Sequence, residues 1–115
     1  MKEPVHDPRI ITSPWVVREG QSSLRHYVTE FLLVCQARNL AAGSLMFYRQ
    51  KLYPFVEWLE CQGVSYPEDV KASHLRRYLV HLQDSNHTPG GQHAYYRAVR
   101  AFFNWLRPAR EAQDE

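Results

Sequence analysis

Thr88-Pro89-Gly90-Gly91-Gln92-His93-Ala94-Tyr95-Tyr96-Arg97-Ala98-Val99-Arg100-Ala101-Phe102-Phe103-Asn104-Trp105-Leu106 is the stretch on which the fold turns. Thr88 has the side chain of a helix N-cap. Pro89 suits the first helical turn, where a missing N–H costs nothing. Tyr95, Val99, Phe102 and Leu106 then recur at helical spacing and define an apolar stripe that Tyr96 and Phe103 widen. His93, Arg97, Arg100 and Asn104 also step by four, three and four, so they form a second stripe on another side of the same helix. One side is built for burial. The other offers two guanidiniums and two hydrogen-bonding side chains, and the small Ala94, Ala98 and Ala101 between the stripes would permit close approach of a partner.

Working outward, the 115 residues suffice for one domain with a real core, and 44% hydrophobic with 13% aromatic residues exclude a wholly disordered chain. No apolar run approaches the roughly 18 residues that span a bilayer. The N-terminus has no apolar signal core, so the expected location is the cytoplasm. Cys35 and Cys61 fall in apolar helical patterns and read as reduced core residues. Net charge is only +2, but residues 44–107 hold eight basic and five acidic residues, while the tail from 108 is acidic. The basic excess therefore lies in the second half of the folded part and hints at an anionic partner.

Residues 1–21 contain Pro4, Pro8 and Pro14 without a sustained period and read as an extended arm, from which Trp15, Val16 and Val17 could pack on the domain. Ser22 or Ser23 caps a first helix over 24–38, with Leu24, Tyr27, Val28, Phe31, Leu32 and Cys35 inward. Ser44 is read as the cap of a second helix over 45–62, terminated by Gly63 in a left-handed conformation. Leu45, Tyr48, Leu52, Phe55, Val56 and Leu59 point inward there, and Arg49, Gln50, Tyr53, Glu57 and Glu60 outward. Pro54 removes one hydrogen bond and should kink this helix near Gln50 without splitting it. A loop over 64–71 leads to a third helix over 75–83, capped by Ser73 and turned inward through Leu75, Tyr78, Leu79 and Leu82. The fourth helix is expected to stop at Arg107, with 108–115 as linker or tail. Four amphipathic helices with short connections make an all-α, small four-helix bundle. Truncating Phe55 or Phe102 in its core should cost about 3–5 kcal/mol.

Three stretches are specific enough to carry a resemblance: N-L-A-A-G-S-L-M-F-Y-R-Q-K-L-Y-P-F-V-E-W-L-E-C-Q-G over 39–63, S-H-L-R-R-Y-L-V-H-L-Q over 73–83 and A-Y-Y-R-A-V-R-A-F-F-N-W-L over 94–106. In this order the chain, over about 22–106, resembles the N-terminal core-binding domain of tyrosine recombinases, the phage integrases and Xer-type site-specific recombinases. The resemblance implies a SAM-like helical bundle that forms one jaw of a clamp on double-stranded DNA. It implies that the second and fourth helices cross the major groove, and that the first helix meets other recombinase protomers assembled on the DNA. By position it points to Ser44, Tyr48, Arg49 and Lys51 around the second helix, and to Gln92, His93, Tyr96, Arg97 and Arg100 on the fourth. The chain departs from the family's pattern at Ala94, where many relatives carry arginine, and at Gly90 and Gly91, where they carry serine or threonine. The family's chemistry resides in a separate C-terminal domain, and the chain ends where the interdomain linker would begin. None of the seven tyrosines is therefore the expected nucleophile, and the chain alone is not expected to be an enzyme.

The residue chemistry fits this picture. Arginine's planar fork suits both phosphate oxygens and the major-groove edge of guanine. Arg49 and Lys51 would contact phosphates and position the domain without reading sequence. Gly90 and Gly91 either expose N–H groups to a phosphate or simply build a loop. Arg76 and Arg77 read as a solvated face. His74 and His81 are too far apart on one helix to share a metal, and no nucleotide-binding loop or nucleophile–base pair occurs, so no cofactor and no small-molecule substrate are expected. A competing reading is a helical protein-interaction or self-association module, docking through the first helix or a Tyr53/Trp58 surface.

Overall fold

The computed structural model describes residues 22–85 and 87–113, with side chains through Pro108. The expected N-terminal arm lies outside the described residues. Four helices follow in order: α1 Leu24–Ala37, α2 Ala42–Cys61, α3 Ala72–Asp84 and α4 Pro89–Gln113, with a single 3-10 turn at Pro67–Asp69. No strand occurs among the described residues. The fold is all-α, as the periodicities predict.

Local chemistry explains where the helices begin and end. Ser23 caps α1 by accepting from the His26 N–H at 3.1 Å. Thr88 caps α4 in the same way, its Oγ1 accepting from Gly91 N–H at 3.0 Å. Two helices close with a left-handed residue. After α1, Asn39 sits at φ 63°, and after α2, Gly63 sits at φ 81°. In each case the next residue's N–H reaches back five positions, Leu40 to Cys35 O at 3.1 Å and Val64 to Leu59 O at 2.9 Å, which satisfies carbonyls the helix leaves open.

Several expectations are corrected. Ser44 and Ser73 are not caps: α2 starts at Ala42 and α3 at Ala72, placing both serines inside the first turn. In α3 the His74 Nδ1 instead accepts from Lys71 N–H at 2.9 Å. The fourth helix does not stop at Arg107 but runs through Pro108 to Gln113. Pro108 removes one hydrogen bond to Asn104, and both residues are exposed, so water replaces it. The same reasoning applies to Pro54 in α2, which is exposed four residues after exposed Gln50 within an unbroken helix.

The core is a single cluster. Leu24, Val28, Leu52, Phe55, Val56, Leu59, Phe102 and Leu106 are almost wholly excluded from solvent, and all the inward positions expected of α1 are buried. α2 packs on all three other helices, and α4 does likewise. Edge-to-face rings knit the centre, with Phe31 against Phe102 at 5.7 Å and Phe55 against Tyr78 at 4.9 Å.

Corrections also fall on the surface assignments. Cys61 is exposed, whereas Cys35 is buried, and both are free thiols. Ala98 is fully buried against the bundle, so it offers no partner an approach. Tyr96, 42% exposed, is not part of the buried stripe. Glu60 does not face water: it accepts from Arg25 Nη2 and Nε at 2.8 and 3.1 Å, joining the start of α1 to the end of α2. Hydrogen bonding to Glu60 raises the Arg25 guanidinium above its ordinary value. Tyr53 likewise turns to α1, its hydroxyl 2.9 Å from Thr29 Oγ1.

Candidate nucleic-acid interface

α4 presents His93, Arg97, Arg100 and Asn104 to solvent along one side, opposite buried Val99, Phe102 and Leu106. The amphipathic split read from the sequence is thus the split the helix displays. Beside this row lies the first half of α2. The sequence holds no aspartate or glutamate over residues 31–56 or 85–110, so both helices are free of acids where they adjoin. Among the described residues, neither Arg97 nor Arg100 takes part in an ion pair. Their charge remains available to a polyanion.

An open notch of about 300 Å³ sits where α4 crosses the start of α2, lined by Gly43, Ser44, Phe47, Tyr48 and Arg97. It unites three of the expected site residues, Ser44 and Tyr48 from α2 with Arg97 from α4. The Arg97 guanidinium carbon lies 5.3 Å from the centroid of the Phe47 ring, a cation–π contact. One helical turn further along α2, the Lys51 ammonium lies 4.5 Å from the Tyr95 ring centroid on α4. Arg100 and the His93–Tyr96 pair, rings 6.5 Å apart, flank the notch along α4.

Two expected residues stand elsewhere. Arg49 lines a separate groove of about 190 Å³ between α1 and α2, with Leu32, Leu33, Leu45 and Tyr53. Gln92 uses its side-chain amide to donate to the His87 carbonyl at 3.0 Å, fixing the loop that leads into α4. Nor is the glycine pair an open cradle of N–H groups, because Thr88 already takes that of Gly91. What sequence reasoning missed is Phe47. It lies off the inward stripe of α2, yet it is half-buried and carries Arg97. An aromatic residue at the edge of a helix stripe, four before a lysine, was the available signal.

The Tyr53/Trp58 surface named in the competing reading is less open than expected. Both residues are half-buried, Trp58 with its ring 5.2 Å from that of Tyr78 and 6.0 Å from that of His81. Among the described residues no group of three or more His, Cys, Asp or Glu side chains could hold a metal, and no helix is long and apolar enough to cross a membrane.

The four helices with this acid-free, cation-bearing face make an all-α bundle, and comparison of its sequence with known families gives the class. Residues 27–110 match the family described as Phage integrase, N-terminal SAM-like domain. The chain belongs to that family. No curated protein and no solved structure matched it.

Proposed function

We propose that this chain is the core-binding domain of a tyrosine site-specific recombinase and holds duplex DNA against the face formed by α2 and α4. The observation that carries the reading is the exposed row His93, Arg97 and Arg100, without an ion-pair partner among the described residues and beside the acid-free first part of α2, residues 42–56. Membership of the phage-integrase family supports it, since the SAM-like domain is the non-catalytic part of such enzymes. The domain would position the recombinase on its site during integration or recombination, and phosphoryl transfer would belong to a separate domain.

Phosphate contacts set affinity and register, so binding by this domain alone should be weak, on the order of 10⁻⁴–10⁻⁶ M, and strongly salt-dependent. Ser44, Tyr48, Lys51, Arg97 and Arg100 would make the central contacts, with His93 and Tyr96 toward the start of α4. Arg49 and Gln92 are placed less favourably by the geometry above. Fluorescence anisotropy with labelled duplex at several salt concentrations tests the reading. The Arg97→Ala/Arg100→Ala double variant should bind at least tenfold more weakly, while its circular dichroism stays helical. A response indifferent to salt, or undiminished binding by that variant, overturns it.

A further inference from the structure

We propose that Phe47 and Tyr95 are positioning residues, each holding a cation of the opposite helix at a fixed place on the α2–α4 face. This rests on the DNA reading above and deepens it. The two contacts are reciprocal. Phe47 of α2 lies under Arg97 of α4, and Tyr95 of α4 lies under Lys51 of α2. Each ring is anchored in turn. Phe47 meets Tyr48 at 5.4 Å, Tyr48 meets Phe31 at 5.2 Å, and Phe31 reaches the buried Phe102. Tyr95 is held edge-on by Tyr78 at 6.1 Å and by His87 at 5.4 Å. Each of the two rings is therefore tied to rings of the bundle on one side and carries a cation on the other.

The consequence is entropic and geometric. A free arginine or lysine side chain must be ordered when it meets a phosphate, which is a cost to binding. A side chain already resting on a ring has less freedom to lose. Arginine gains doubly, because stacking leaves its planar edge and its N–H donors directed outward. Two cations held across one seam also keep a fixed spacing, which a pair of mobile side chains would not. Phe47 and Tyr95 contribute no charge themselves.

The test uses the whole chain. Phe47→Leu keeps apolar bulk and removes the ring; Phe47→Trp restores a ring. The first should raise the Kd for duplex DNA about two- to tenfold, the cost of ordering one long side chain, with the salt slope unchanged because both cations remain. Phe47→Trp should bind like the parent. In an Arg97→Gln background, Phe47→Leu should have no further effect, whereas a merely structural Phe47 would weaken both backgrounds alike and so overturn the proposal. Parent-like affinity of Phe47→Leu beside an intact response to Arg97→Ala/Arg100→Ala overturns it too, leaving the DNA reading in place. Absence of duplex binding by the parent chain removes both. A readout without DNA is the ring-current shift of the Arg97 Cδ protons and the Lys51 Cε protons by NMR. Upfield shifts abolished by Phe47→Leu and Tyr95→Leu respectively support the proposal, and random-coil values in the parent chain overturn it.

Discussion

Tyr78 is a single residue whose burial has a consequence for the whole domain. Its ring is only 4% exposed, packed against Phe55, Trp58 and Tyr95. Burial, and secondarily the neighbouring Tyr95, push its hydroxyl well above the ordinary tyrosine value of about 10. A group whose folded pKa is raised stabilises the fold below its unfolded pKa, and that stability is lost as pH rises toward the folded value. Denaturant titrations should thus show constant stability from this group up to about pH 10 and a decline above it. Tyr78→Phe should flatten that alkaline decline, and an unchanged decline would show that other tyrosines cause it. The two thiols divide by the same physics. Burial raises the Cys35 thiol above its ordinary value and shields it, whereas Cys61 is exposed. The sequence did not separate them, because Cys61 lies at the last position of α2, where one residue of register decides between core and water.

Helix termini set the next scale. Two glycines at the ends of α2, Gly43 within its first turn and Gly63 just beyond its last, make opposite predictions, although neither would bring an added Cβ within 4 Å of a neighbour. Gly63, at φ 81°, ends the helix in the left-handed region, so Gly63→Ala should destabilise by about 1–2 kcal/mol. Gly43 lies in the first turn with no such backbone, so Gly43→Ala should stabilise by up to about 1 kcal/mol. Thermal melts of the two variants should move in opposite directions. Gly63 was legible because glycine after a long apolar period is a recognised stop. The start of α2 was misread because Ser44 has the side chain of a cap, yet Ala41 occupies the cap position without a side-chain bond. The end of α4 was misread for a complementary reason: Pro108 is a strong local signal, but its missing hydrogen bond falls on the solvated side and the helix continues. The loop over 64–71 was legible, but the burial of residues 64–67 was not. Val64, Ser65, Tyr66 and Pro67 are all buried in a connection without periodicity, where the Ser65 carbonyl accepts from Leu24 N–H at 2.8 Å and ties the loop to the start of α1.

At the scale of the molecule, charge is distributed by helix. Sequence periodicity alone showed that α4 would bury one side and expose its arginines on another. What it could not show was that Arg97 meets Ser44 and Tyr48 at a notch while Arg49 looks toward α1, because that depends on the crossing of α2 and α4. This separation makes a quantitative test of the proposed DNA face possible. Each phosphate neutralised on B-form DNA contributes about −0.9 to the slope of log K against log salt, so four or five contacts give a slope near −4. Removing a cation that touches phosphate should lower the slope by about one and weaken binding to every duplex alike. Arg97→Ala/Arg100→Ala should therefore bring the slope to about −2. Arg76 and Arg77 on α3 are equally exposed but lie outside the α2–α4 face, so Arg76→Ala/Arg77→Ala has the same change in net charge and should leave the slope near its parent value. If both double variants lose slope equally, the domain attracts DNA by net charge alone and no face is selected. If only the α4 pair does so, the amphipathic division of that helix accounts for both the core and the grip on DNA.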